Sequence, residues 1–170
     1  MGVPWLGVQT AGEEYEQQFR AALSRLVDEG VEGGVFGDID IEEHREWVER
    51  VCADVGMAAL LPLWGEPQDK VMQEIISSGF EAMVVAVRAD VLPREWLGRP
   101  IDMEFVRDLH RLNAEGEPMA VQPCGEAGEY HSFVIDGPGF RKRIEAVKGR
   151  TTLVDGVQAL DIRLDRLLAK

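Results

Sequence analysis

The chain has 170 residues, with 18 Lys+Arg against 31 Asp+Glu and a formal net charge of −13. That length predicts one domain, or one domain with a small appendage, and 45% apolar residues suffice for a packed core and argue against disorder. The surplus of carboxylates argues against nucleic acid and against anionic membrane surfaces as partners, because both are held through Lys and Arg.

Two cysteines, Cys52 and Cys124, are too few for a disulfide framework of the secreted kind. The first basic residue is Arg20, so no signal peptide is expected. The longest apolar runs, 57–64 and 82–87, are too short to span a bilayer. A cytoplasmic setting follows as the expectation.

In chain order, Trp5–Gln9 reads as a short strand, and Thr10 with Glu13 as the capping box of a helix. Tyr15, Phe19, Ala22, Leu23, Leu26 and Val27 recur with helical spacing, and Gly30 is placed to end that helix. Gly33–Gly37 reads as the next strand. Asp40 is placed to cap a second helix whose buried stripe is Ile41, Val48, Cys52 and Val55. Met57–Leu63 predicts a third strand. Pro67 suits the first turn of a third helix, closed by Gly79. Ala82–Val87 is a continuous apolar run, the pattern of a parallel strand covered on both faces. Strand and helix in alternation predict βαβ crossovers and a parallel sheet.

The pattern changes near residue 90. Leu92–Pro100 reads as a loop, 102–113 as a helix, and Ala114–Gly128 as a Gly-, Pro- and Glu-rich segment. Strands are expected at Tyr130–Ile135, Arg143–Lys148, Thr151–Val154 and Gln158–Leu167, the last alternating Leu160, Ile162 and Leu164 with charged residues. The expected division is therefore an α/β domain at 1–92 and a smaller β-rich α+β domain at 93–170.

Open parallel sheets bind ligands beyond the carboxyl ends of their strands. Gly37 and Asp38, Trp64 and Gly65, and Arg88-Ala89-Asp90 all fall at expected strand ends and are candidates for one ligand rim; each also reads as an ordinary loop with a helix cap. The densest polar motif is Cys124-Gly125-Glu126-Ala127-Gly128-Glu129-Tyr130-His131. Gly125 and Gly128 would let backbone approach a ligand. Glu126 and Glu129, with His131, are suited to holding an amine, ordering a metal or orienting a nucleophile. The same residues also read as an acidic turn entering a strand, and Cys124 with His131 as a nucleophile–base pair is a further arrangement. Arg99, between Trp96-Leu97 and Pro100, is placed to clamp a phosphate or carboxylate, or else to lie on a surface turn. Cys52, Cys124, His44, His110 and His131 match no metal-site spacing, so no metal centre is expected. No catalytic residue is identified. No glycine-rich phosphate loop joins a strand to a helix.

Several motifs occur together and in order: Val35-Phe36-Gly37-Asp38-Ile39, His44-Arg45-Glu46-Trp47-Val48-Glu49, Pro62-Leu63-Trp64-Gly65, Gly79-Phe80-Glu81-Ala82, Trp96-Leu97-Gly98-Arg99, and 125–134 followed by Asp136-Gly137-Pro138. Through them the chain resembles the diphthine–ammonia ligase family, ATP-binding proteins of the PP-loop superfamily, and its bacterial-type members in particular. The resemblance implies a Rossmann-like (HUP) domain followed by a smaller C-terminal domain. It implies adenylation of a carboxylate by ATP with Mg²⁺, then displacement of AMP by ammonia. The acceptor would be a small molecule or a protein bearing a modified histidine, such as diphthine on translation elongation factor 2. By the same resemblance Glu126, Glu129, Tyr130 and His131 would contact that substrate. The family's Ser-Gly-Gly-Lys-Asp-Ser phosphate loop has no counterpart here, and Met1-Gly2-Val3-Pro4 corresponds to the stretch before the family's third strand. The parallel sheet is thus expected to be N-terminally incomplete, with an open edge that a second copy or a partner chain would cover. Besides a ligase or its substrate-binding portion, a non-catalytic binding module and an assembly scaffold are compatible with the residues.

Overall fold

The computed structural model describes residues 2–10, 12–116 and 120–170, the Glu13 side chain excepted. The capping box expected from Thr10 and Glu13, and residues 117–119 of the expected Gly- and Pro-rich segment, lie outside that description. The chain is a mixed α/β protein that divides into two compact units, Gly2–Glu66 and Pro67–Lys170.

In the first unit, α1 (Tyr15–Asp28) follows a single turn of 3₁₀-helix, and β1 (Gly33–Val35), α2 (Glu42–Ala53) and β2 (Ala58–Leu60) form a βαβ unit. The two strands are parallel, with Gly34 opposite Ala59. The apolar stripes expected of α1 and α2 meet: Leu23, Val48, Val51, Cys52 and Met57 are buried in one cluster with Phe19, Leu26, Phe36 and Trp47 against them. The same strands leave a second face open, where Val35 is 71% and Leu60 52% exposed. Three expectations are corrected. Trp5–Gln9 is not a strand, and Trp5 stands 88% exposed. Ile41, in extended conformation, occupies the N-cap of α2 without a side-chain cap bond, so Asp40 lies outside the helix. β2 stops at Leu60, because the chain turns at Pro62–Gly65 to bring the Gly65 amide to the Ile39 carbonyl at 2.8 Å.

The second unit contains α3 (Gln68–Ser77), β3 (Glu81–Arg88), α4 (Met103–Ala114), β4 (Tyr130–Asp136), β5 (Lys142–Val154) and β6 (Val157–Ala169). Its sheet has four strands in the order β4-β3-β6-β5, and every pairing is antiparallel. Here the expected parallel assignment of 82–87 fails. β3 is central in an antiparallel sheet, and a buried apolar run reads the same in either setting. The expected domain break at 92/93 moves to 66/67 for the same reason: Met72 of α3 and Val84 and Val87 of β3 share one core with Trp96, Phe105, Leu109 and Tyr130.

Asp102 caps α4, its Oδ1 accepting from the Glu104 and Phe105 amides at 2.9 Å each. The two strands expected at 143–148 and 151–154 are one strand, β5, with a register shift between Lys148 and Thr151. β5 and β6 are joined through Asp155 (φ 49°) and Gly156 (φ 79°), both left-handed, as a two-residue hairpin turn requires. Among the described residues no helix is long and apolar enough to cross a membrane.

Candidate functional site

The loop from Val121 to Tyr130 is held from three sides within the second unit. Asn113, in the last turn of α4, donates Nδ2 to the Val121 carbonyl at 2.9 Å and accepts from its amide at 2.8 Å. Gln68 at the start of α3 accepts from the Cys124 amide at 3.0 Å, and the Cys124 thiol turns to the Gln68 carbonyl at 3.5 Å. Tyr130 donates its hydroxyl to the Pro123 carbonyl. Its ring meets Phe105 edge-on at 5.3 Å, and Phe105 meets Trp96 in the same manner at 5.3 Å. Gly125 has φ 70°, and a Cβ there would stand 3.0 Å from the Tyr130 ring, so the loop needs glycine at this point.

These bonds sort the acidic motif into an inside and an outside. Glu129 is 1% exposed and its Oε1 accepts from the Gln122 amide at 2.9 Å. Its Oε2, and the Oε1 of Gln122, are buried with no hydrogen-bond partner among the described residues. A buried acceptor left so costs about 1–3 kcal/mol, so the loop interior presents two acceptors suited to a donor. Tyr130 is 5% exposed, and burial pushes its phenol up from the ordinary range. Both Glu129 and Tyr130 face inward, away from bulk water. Glu126, Gly125 and Gly128 are half-buried at the loop surface, and His131 is exposed at the start of β4. The Cys124 thiol lies 3.5 Å from the Gln68 carbonyl.

Arg99 has an internal partner. Its guanidinium bonds Asp108 at 2.6 Å and lies over the Trp96 ring, 4.4 Å from the centroid, which holds the Asp108 carboxyl below the usual range. The anion clamp expected of Arg99 is thus already filled by a carboxylate of α4. Arg88 likewise pairs with Asp90 at 2.8 Å, beside the β5–β6 turn, at the end of an antiparallel strand. It is therefore not part of a parallel-sheet rim.

In the first unit the loops after β1 and β2 do come together. Besides the Gly65–Ile39 bond, Arg45 of α2 lies 4.8 Å above the Trp64 ring. Asp38 is half-buried, with His44 Nδ1 at 3.4 Å from its carboxylate. Gly65 sits at φ 76°; Gly37 has open space around it and no positive φ. For a nucleotide, the phosphates do not fit these residues. Glu42 and Glu43 occupy the first turn of α2, and Arg45 is taken by Glu42 at 2.6 Å. Among the described residues no group of three or more His, Cys, Asp and Glu side chains is placed to hold a metal ion.

Both units match one family. The diphthamide synthase N-terminal domain matches residues 1–59 and the C-terminal domain residues 67–165. These limits bracket the division at 66/67. The chain belongs to the diphthamide synthase family. It is 36% identical over 137 residues to a diphthine–ammonia ligase of Danio rerio, covering 79% of this chain and 52% of the relative. It is 35% identical over 134 residues to that of Bos taurus, covering 78% and 49%. With the diphthine–ammonia ligase of Schizosaccharomyces pombe it shares 39% over 136 residues, 79% of this chain and 22% of the relative. The chain thus spans about half the length of the animal relatives it matches.

Sequence reasoning did not reach Asn113, Gln68 and Gln122, the polar side chains that build the loop. Isolated amides carry no periodic signal, and only the fold shows what they bond.

Proposed function

We propose that this chain serves an ATP-dependent amidation of a carboxylate, and that its own part is recognition of the substrate by the 121–131 loop. In that reaction the carboxylate attacks the α-phosphorus of ATP and pyrophosphate leaves. Ammonia then attacks the acyl carbon of the adenylate, AMP leaves, and one proton is released. The family and the names of its relatives support the reaction class. The observation that carries the loop's role is the buried pair of partnerless acceptors, Glu129 Oε2 and Gln122 Oε1, inside a preformed loop. Two acceptors without a donor fit ammonia, ammonium or a substrate amine. They do not fit an anion.

ATP supplies the adenylate leaving group and Mg²⁺ screens its phosphates. Gly37, Asp38, Trp64 and Gly65 do not fit the phosphates, so no step is routed through them. A small molecule or a protein with a modified histidine, diphthine on translation elongation factor 2 first, is the proposed acceptor. A second copy or a partner chain over the open face of β1 and β2 is the proposed assembly.

The test is binding of diphthine-bearing elongation factor to this chain, measured by titration of the wild type and of Glu129→Gln, which keeps the Gln122 bond. Binding that falls at least tenfold in the variant is the expected result. No binding by the folded wild-type chain, or binding indifferent to Glu129→Gln, refutes the reading.

A further inference from the structure

The first unit holds a pocket of about 330 Å³ that the ligase reading leaves unused. Tyr15 and Phe19 reach it from α1, four residues apart and so on one helix face; His44 and Trp47 reach it from α2, three apart. Phe36 and Asp38 close it from the segment just past β1. The rings form one continuous wall. Tyr15 and Trp47 stack at 5.8 Å, Tyr15 and Phe19 at 6.0 Å, and Phe19 and Trp47 meet tilted at 5.0 Å.

The indole is fixed from behind. Trp47 donates its N–H to Glu16 Oε2 at 2.8 Å, and Arg20 and Arg50 hold Glu16 at 2.8 and 2.9 Å. The one polar atom of Trp47 and the carboxylate that binds it are therefore both satisfied. The charge remaining at the pocket is Asp38, which has His44 at 3.4 Å and, among the described residues, no Lys or Arg. An aromatic wall facing a carboxylate attracts cations twice, through ring quadrupoles and through charge. A planar base needs two parallel faces about 7 Å apart, two van der Waals contacts. These rings touch each other instead and leave no such slot. A phosphate would meet Asp38 and the acidic first turn of α2.

We infer that this pocket binds a compact organic cation, with Tyr15 and Trp47 as its aromatic wall and Asp38 as its counter-charge. The inference is independent of the ligase reading.

Choline is the probe, and 3,3-dimethylbutan-1-ol, its uncharged carbon analogue, is the control. Each is titrated into the full chain at constant ionic strength while the Trp47 indole N–H is followed by NMR. Choline should shift that resonance saturably and bind at least tenfold more tightly than the alcohol. Asp38→Asn and Tyr15→Leu should each weaken choline about fivefold, the effect of one desolvated aromatic or charge contact. Both positions are partly exposed, so the variants should fold. If either does not, the wild-type comparison of choline with its analogue still decides. Equal binding of choline and the alcohol, no saturation with choline, or adenosine binding in choline's place would each overturn the assignment.

Discussion

Replacing Glu129 by glutamine should make the protein more stable. Glu129 Oε1 accepts from the Gln122 amide at 2.9 Å, and glutamine keeps that oxygen in place. Oε2 becomes an NH₂ group, and the buried carboxylate oxygen left without a partner is removed. Relieving a buried unsatisfied group is worth about 1–3 kcal/mol. Against this stands the attraction between the carboxylate and Arg88, whose guanidinium senses Glu129 through space; its loss offsets part of that gain. The net gain is about 1 kcal/mol, or a rise of about 3 °C in Tm for a chain of this length. Glu129→Ala should have the opposite effect, losing about 2–3 kcal/mol, because the Gln122 amide is stripped of its acceptor. Urea titrations of the three proteins, read at the Trp96 indole resonance of the second unit, measure both. A Glu129→Gln protein less stable than wild type by 1 kcal/mol or more would mean that the charge is answered inside the fold, and the reasoning about orphaned acceptors would fail. A stabilised variant that no longer binds the factor would show a residue kept for function against stability.

Asn113→Ala should cost about 2–3 kcal/mol by removing both partners of the buried Val121 backbone, seen as a lower urea midpoint; an unchanged midpoint would mean that the loop is not hung on α4. Glu16 is held well below the ordinary carboxylate range, first by Arg50, then by Arg20 and the Trp47 N–H. Because its folded pKa lies below the unfolded value of about 4.3, the stability it contributes is complete above pH 5 and lost as pH falls from about 4 toward the folded value. The Trp47 resonance should follow that acid transition, and Glu16→Gln should abolish it; an unaltered transition would assign the effect elsewhere. Cys52 is fully buried and burial pushes its thiol up, whereas Cys124 is half-buried. A thiol reagent at pH 8 should therefore modify Cys124 first and Cys52 only in denaturant, and equal rates would contradict the core placement. Light scattering should give a mass above the 18.9 kDa of one chain, since the open face of β1 and β2 exposes Val35 and Leu60; a stable monomer would refute the second copy as its cover.

The features legible from residue order were those that depend on local spacing. Phe19, Leu23 and Leu26 on α1, and Val48 and Cys52 on α2, recur with the helical period and are core residues. The helix expected at 102–113 is α4, Met103–Ala114. What escaped was long-range. Ala82–Val87 shows burial, but not which strands flank it or in which direction they run. That ambiguity misplaced the domain break by about one helix and one strand. Glu126 and Glu129 are chemically identical in sequence; the left-handed Gly125 and Gly128 between and beside them turn one carboxylate inward and leave the other at the surface.

A chain with 31 acidic residues against 18 basic ones has many carboxylates without a cation, and most of those need no explanation, because water solvates them. The informative ones are held away from bulk water and still lack a Lys or Arg. Glu16 is answered by two arginines, Asp108 by Arg99 and Asp136 by Lys170. Glu129, inside its loop, and Asp38, against its aromatic wall, have no Lys or Arg at ion-pair distance among the described residues. Their environments are unrelated, one built of backbone and amides and the other of rings, yet both favour a hydrogen-bond donor or a cation over an anion. The ligands these two places select should therefore carry nitrogen, and substituting either carboxylate by its amide should weaken binding at that place alone. Loss at both places from a single substitution would refute the assignment of a separate ligand to each.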